Sequence, residues 1–250
     1  MEHTEPQKTV LSRANGRMVT LEEISDTEAC TLPLLRLAQE GCEEGRCQVA
    51  RLPVCPLGES GAPGLFVSLL VRPSLHAQMA GRLSAACAVA ALRAIEQLSD
   101  IDLRIRWVND LFYRAHKVAG MMASASLKPN GYLDYVVLGI TVNLSEDNFP
   151  PRLGNVIRRV FNGETRPLPT CLSEGIVREF FSIYDRMATD DGFLDEYRRR
   201  SLLLGQYIKV LVGDTYLRGR VIRIDENACL EVELHSGARM TVTSRSEVLF

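Results

Sequence analysis

The 250-residue sequence predicts an α+β protein, a mixed β-sheet with helices packed against it, followed by a small C-terminal β-barrel. Three observations carry this. The apolar run GLFVSLLVRP at 64–73, closed by proline, is what a strand buried on both faces requires. A long segment after it repeats apolar residues at helical spacing, and the tail turns to short alternating runs separated by Gly- and Asp-bearing turns. With 46% hydrophobic residues the chain can fill one core of ordinary size and a satellite beside it.

Taken in order, residues 1–20 read as a poorly structured lead-in, residues 21–204 as the main domain and residues 205–250 as the satellite. From Thr27 to Gln39, Ala29, Leu32, Leu35 and Ala38 fall at helical spacing, with Pro33 in the first turn and Gly41 as the stop. After the strand at Gly64, the spacing of Leu75, Met79, Leu83, Ala86, Ala90 and Ala94 predicts a helix over Ser74–Leu98. Its alanines predict close contact with the sheet. IDLRIRW alternates Ile101, Leu103, Ile105 and Trp107 against Asp102, Arg104 and Arg106, as a half-buried strand does. KVAGMMASAS and GYLDYVVLGITVN continue as strands around the turn Lys128-Pro129-Asn130-Gly131. Leu172, Ile176, Phe180, Tyr184 and Met187 mark a second helix. From Gly205 the runs GQYIKVLV, LRGRVIRI, CLEVEL and RMTVTS are strands, turned at Gly213-Asp214, Asp225-Glu226-Asn227 and Ser236-Gly237.

Composition narrows the function classes. A formal net charge of -2, with both signs spread through the chain, argues against nucleic-acid binding. The polar start MEHTEPQKTV carries no apolar run, and the longest apolar region, SAACAVAALRAIEQL, is broken by Arg93 and Glu96, so neither a signal peptide nor a membrane span is expected. Seven cysteines at irregular spacing form no Cys-x-x-Cys pair, which points to reduced, mostly buried thiols in a cytoplasmic protein without a tightly bound metal. Cys42 and Cys47 could pair, but small buried hydrophobes are the reading favoured here.

The segment RWVNDLFYRAHKVAG at 106–120 gathers the single tryptophan, Trp107, an Asn-Asp pair and a lysine among apolar residues. A strand, a turn and a hairpin would put these polar groups at the rim of a sheet, where sites usually lie. Asn109 can donate and accept, Asp110 can accept or hold a divalent cation, Lys117 is a point charge on a long stem, and Gly120 leaves room for a close approach. The same residues also read as plain turn chemistry and a solvated lysine.

The segment resembles the Lys/Arg-Trp-Pro-Asn-Asp…Lys-x-x-Gly signature of the biotin protein ligases, within the biotin/lipoate ligase superfamily, with Val108 in place of Pro. The resemblance extends in order through ISDTEA at Ile24, GLFVSLLVRP, VVLGITVNLS and the tail from Gly205, which is similar to an SH3-like C-terminal domain. It implies the α+β fold of class II aminoacyl-tRNA synthetases and these ligases. It also implies ATP-dependent adenylation of biotin, with Mg2+ accompanying the ATP, and transfer to a lysine of the biotin carboxyl carrier domain of a carboxylase or decarboxylase. On this resemblance Lys117 is the catalytic charge. Thr27, Gly120 and Gly139 would meet biotin, Asn109, Asp110 and Asn143 would meet the nucleotide, and Asp110 would reach Mg2+ through ATP. Homodimers paired through sheet edges fit the same family.

One element departs. Where the family carries a Gly-Arg-Gly-Arg-Arg-Gly-Arg loop, a clasp of backbone N–H groups and guanidinium forks, this chain reads CQVARLPVCPLGESGAPG, with Arg51 as its one basic residue. The loop is degenerate, and Ser25-Asp26-Thr27-Glu28 adds carboxylates near the expected acid site. The N-terminal stretch is also expected not to build the winged-helix domain that makes some relatives repressors. Three readings therefore stay open. They are a ligase for biotin or a related small acid, a non-catalytic module binding biotin or a carrier domain, and a lipoate or octanoate transferase relative with Cys55 as nucleophile. For Cys55, the neighbours Pro53, Val54 and Pro56 supply no base, which favours a buried thiol.

Overall fold

The computed structural model describes residues 8–13, 15–24, 31–52, 55, 64–98, 101–144, 168–244, 246 and 248–249. Strands β1 (Lys8–Ser12), β2 (Met18–Glu23), β3 (Arg46–Leu52), β4 (Gly64–Val71), β5 (Arg104–Arg106), β6 (Asp110–Tyr113), β7 (His116–Leu127) and β8 (Leu133–Asn143) form one mixed sheet. Their order is β1-β2-β3-β4-β8-β7-β6-β5. The β2 and β3 pair is parallel and the other neighbours are antiparallel. The parallel pair needs a crossover, and helix α1 (Leu32–Gln39) lies within it.

Alternation along the central strands divides the sheet into two faces. On one, Leu65, Val67, Leu69, Val136, Leu138 and Ile140 join the main core with α2 (Ala80–Gln97), α3 (Leu168–Tyr184) and α4 (Gly192–Arg200). On the other, Leu70, Tyr135 and Val137 pack under Leu34 and Ala38 of α1. The alanine-rich α2 is buried on nearly every side, with Ala85, Ala86, Ala88, Ala90 and Ala91 fully covered. Small side chains allow the close approach: a Cβ on Gly175 of α3 would stand 3.4 Å from the Ala94 Cβ. Pro33 sits in the first turn of α1, and Gly41, at φ +88°, follows its last turn with its N–H bonded to the Ala38 carbonyl.

Three expectations are corrected. The lead-in is not without structure: β1 and β2 form a hairpin turned at Gly16, because Leu11, Val19 and Leu21 have a core to enter. The long helix begins at Ala80, not Ser74, since the Leu75 carbonyl accepts from Leu133 N–H and Ala77 N–H donates to Gly131. Ladder pairing with the 131–133 segment claims these residues first. The strand expected over 101–107 narrows to Arg104–Arg106, with Leu103 N–H bonded instead to the Glu96 carboxylate.

The tail forms a five-stranded antiparallel sheet in the order β12-β11-β10-β9-β13, from β9 (Tyr207–Val212), β10 (Thr215–Ile224), β11 (Leu230–Leu234), β12 (Arg239–Val242) and β13 (Val248–Leu249). Among the described residues β12 and β13 are both edges, so the expected barrel is not closed. Nor is this sheet a detached satellite. Ile208, Val210, Val221, Leu230 and Val232 belong to the same core as the main domain.

Its turn between β10 and β11 is where the two parts meet. Arg198 donates to the Ile224 and Asp225 carbonyls, Arg82 to the Glu226 carbonyl, and the Trp107 indole N–H to the Ala228 carbonyl at 2.8 Å.

Beyond the sheet edge, buried Arg13 ties the β1–β2 hairpin to α3 and to the loop before β3. It donates to Asp185 and to Glu44 and stacks on the Phe181 ring at 4.4 Å. Burial alone would raise the Glu44 carboxyl, but hydrogen bonds from Arg13, the Arg72 backbone N–H and Tyr184, with the Arg13 charge, hold it below its ordinary value. A depressed carboxylate stabilises the fold above its unfolded pKa, and that contribution is lost as pH falls through the folded value. The urea midpoint is therefore expected to fall on acidification below about pH 4.3. Glu44→Gln should be less stable at pH 7 by about 1–3 kcal/mol and show a smaller acid-dependent drop, both read from urea curves at pH 7 and pH 3.

Candidate active site

On the face opposite α2 and α3, cross-strand register arranges side chains in rows. Leu52, Gly64 and Asn143 form one; Ala50, Phe66, Thr141, Gly120 and Asp110 the next; Gln48, Ser68, Gly139 and Met122 the third. The α1 helix covers the following row, at Leu70 and Val137. Two of the three rows contain a glycine on β8 or β7, where other strand positions would raise a side chain.

Lys117 and Asp110 meet at the β6–β7 end of this face. Lys117 Nζ lies 2.7 Å from Asp110 Oδ1, and Arg106 Nη2 lies 2.9 Å from Asp110 Oδ2. One carboxylate is thus shared by two cations. The bulge between Leu111 and Phe112 shifts the register so that Lys117 opposes Phe112, over whose ring Arg106 stacks at 4.5 Å. Lys117 keeps 29% of its side chain exposed against 14% for Asp110, so the lysine is the member of the pair that a solute can reach.

The turn before β6 is tightly held. Asn109 donates its side-chain amide to the Met121 carbonyl, and its own carbonyl accepts from Met121 N–H at 2.9 Å. The peptide bond between Trp107 and Val108 is cis. Tyr197, fully buried on α4, donates its hydroxyl to the Val108 carbonyl at 2.8 Å. Burial first, and the Asp110 charge second, push this hydroxyl well above its ordinary pKa, so it stays a donor.

The structure brings Lys117, Asp110 and Gly120 together, with Asn109 beside them and with Gly139 and Asn143 on the same face. Trp107 is buried against the C-terminal sheet instead, a structural position. Arg51 is not brought to Lys117. It shares register with Leu65, which puts it on the helix-covered face, and its Nε lies 3.0 Å from Glu23. Thr27 lies outside the described residues. Cys55 is buried at 1% exposure and packs where a Gly64 Cβ would be, in keeping with a buried thiol.

Asp110 has both oxygens engaged, and among the described residues no group of three or more His, Cys, Asp and Glu side chains could hold a metal.

Sequence reasoning missed Ser68, Gln48, Thr31 and Arg106. A lone serine inside an otherwise apolar strand was the available signal for Ser68. Thr31 has none, because its place beside Gly139 arises from the fold: a Gly139 Cβ would stand 2.8 Å from Phe66 Cζ, 2.9 Å from Thr31 Cγ2 and 3.0 Å from Met122 Cγ.

This two-faced sheet with its appended antiparallel sheet is the fold of the biotin protein ligases. The Aquifex aeolicus enzyme in complex with biotin and ATP superposes with a TM-score of 0.64 at 18% identity, covering 92% of this chain and 97% of that one. A biotin protein ligase-like protein of unknown function from a Silicibacter species superposes with a TM-score of 0.70 at 15% identity, covering 94% and 96%. The sequence profile of the biotin/lipoate A/B protein ligase family matches residues 59–143. The bifunctional ligase/repressor BirA of Bacillus spizizenii is 21% identical over 192 residues, 74% of this chain and 58% of that protein. Human biotin–protein ligase is 21% identical over 208 residues, 80% of this chain and 28% of that protein. The chain thus spans under two thirds of these curated relatives. In fold, and over residues 59–143 in sequence profile, it is similar to the biotin protein ligases.

Because Asp110 is shared, losing it exposes two cations at once. Asp110→Asn should cost about 1–3 kcal/mol in urea denaturation. Lys117→Met should cost about 1 kcal/mol or less, since Asp110 keeps Arg106.

Proposed function

We propose that the chain is an ATP-dependent ligase that activates a small carboxylic acid, biotin foremost, and passes the acyl group to a lysine of a biotin carboxyl carrier domain. The observation that carries this is Lys117 at the rim of a glycine-bearing sheet face, reachable and held in place by Asp110. The first step brings two anions together: a carboxylate oxygen attacks the α-phosphorus of ATP, the bond to the β-phosphate bridge breaks, and pyrophosphate leaves. An ammonium beside both offsets their repulsion and the charge building on the phosphorus oxygens. In the second step the acceptor lysine's amine attacks the acyl carbon and AMP leaves. Mg2+, carried by the ATP phosphates, would neutralise the leaving pyrophosphate. Asn109, Asp110 and Asn143 are assigned the nucleotide side, and Gly120 and Gly139 the acid side.

The shared Asp110 also supports a second reading, a module that binds the acid or a carrier domain without chemistry, because Lys117 already has an anionic partner. Pyrophosphate release separates the two. With biotin and ATP, release by the native chain should exceed that of Lys117→Ala by about a hundredfold or more. Equal background release from both would remove the ligase reading. Biotin binding by calorimetry that ATP does not improve would establish the binding module in its place.

A further inference from the structure

Interiors of folded proteins leave few voids larger than a water molecule. On the helix-covered face, where the β1–β2 hairpin meets α3, a cavity of about 200 Å³ remains open. Its floor is apolar and buried, made by Leu11 and Val19 of the hairpin with Val177 and Phe181 of α3. Its mouth is polar, with Ser12 and Arg178 exposed and Ser182 half-buried. An apolar cavity of about 150 Å³ holds one benzene, so the floor accepts a body of about one ring.

The polar groups around the cavity are not used up by the fold. Arg13 borders it, and a guanidinium carries five N–H donors. Asp185 and Glu44 take three of them, which leaves two on a buried side chain. Ser182 Oγ accepts from Arg186 Nη2 at 3.1 Å, so its own proton is free to be donated. Arg178 has no hydrogen-bond or ion-pair partner among the described residues. Nor do the nearby carboxylates answer it, because Asp185 and Glu44 are already matched by Arg13 and Arg17.

We propose that this cavity is an accessory binding site for a small aromatic carboxylate, its ring on the apolar floor and its carboxylate between Arg178 and the Ser182 hydroxyl. The floor selects the ring. Phe181 already meets Phe180 and Tyr184 edge-on, at centroid distances of 5.3 and 6.0 Å, a geometry in which aromatic pairs attract. The mouth selects the charge: one unpaired cation matches a single carboxylate, whereas the second charge of a phosphate ester would find no partner. A bound acid touches both the hairpin and α3, so it fastens one to the other and raises stability in proportion to its occupancy. Nothing in this depends on the ligase reading, since the cavity and Lys117 lie on opposite faces of the sheet.

The full chain is titrated calorimetrically with phenylacetate and with its uncharged amide, phenylacetamide, and melting temperatures are recorded with each. The native chain should bind phenylacetate saturably, about tenfold or more tightly than the amide, and melt higher with it. Arg178→Gln should abolish that preference while leaving the amide within about twofold. Val177→Phe fills the floor and should lose both ligands. Ser182→Leu, at the half-buried rim where folding is not at stake, should weaken phenylacetate by about tenfold or more. Lys117→Ala should bind both as the native chain does. Absence of saturable phenylacetate binding overturns the proposal, as does equal affinity for acid and amide. Affinity unchanged by both Arg178→Gln and Ser182→Leu overturns it too. So does loss of binding in Lys117→Ala, which would put the acid on the other face.

Discussion

Buried carbonyls must be paired, and the turn between β10 and β11 buries several against the main domain. Ile224, Asp225, Glu226 and Ala228 turn their carbonyls toward donors from Arg198, Arg82 and Trp107, none of which belongs to the C-terminal sheet. The approach is close: a Cβ on Gly81 of α2 would stand 2.4 Å from the Asn227 carbonyl oxygen. The Asp225 carboxylate holds the turn from inside by accepting from Asn227 and Cys229 N–H groups. This contact makes one core of two sheets and, through Trp107, it also sets where the candidate site begins.

From Trp107 the constraint passes along the chain by short steps. The indole is pinned to Ala228, the next carbonyl is taken by Tyr197, and Asn109 is locked to Met121 on both its side chain and its backbone. Asp110 therefore enters β6 in one orientation, with its carboxylate over Gly120 and between two cations. A site residue carried by a loop alone would have had several rotamers; here the backbone is specified by donors from α4 and by acceptors in the C-terminal sheet. The tail contributes to the site by placement, without lending it a side chain.

What could be read in the sequence was what local physics decides. The doubly buried β4, the alanine-packed α2, the stop at Gly41 and the turns at Gly131, Gly213 and Gly237 each follow from spacing, bulk or backbone freedom over a few residues. What could not be read depends on partners far along the chain. The first strands have too few apolar residues to look like strands until Leu11, Val19 and Leu21 meet the core. The start of α2 was decided by a ladder with residues some fifty positions later, and no local signal reports that. Within the site, Lys117 was found because its segment resembles a known signature. Gln48 and Ser68 belong to no motif, and the sense of Arg51 turned on register: one residue of alternation separates a site arginine from a surface one.

Charge on the open face is balanced so that Lys117 can change partners at little cost. Were Asp110 bonded to Lys117 alone, a substrate anion drawing the ammonium away would strand a carboxylate that is only 14% exposed, at a cost of about 1–3 kcal/mol. Arg106 already holds the second oxygen and is itself fixed by stacking on Phe112, so the carboxylate stays paired when the lysine leaves. The arrangement also tempers attraction. Two cations and one anion leave a single net positive charge, enough to favour one incoming carboxylate or phosphate but modest for the pair of anions that the proposed adenylation would join. Under the proposed ligase reading, in a sheet face without an arginine clasp among its described residues, that shortfall would fall on whatever the nucleotide brings with it, and the burden on Lys117 would be correspondingly larger.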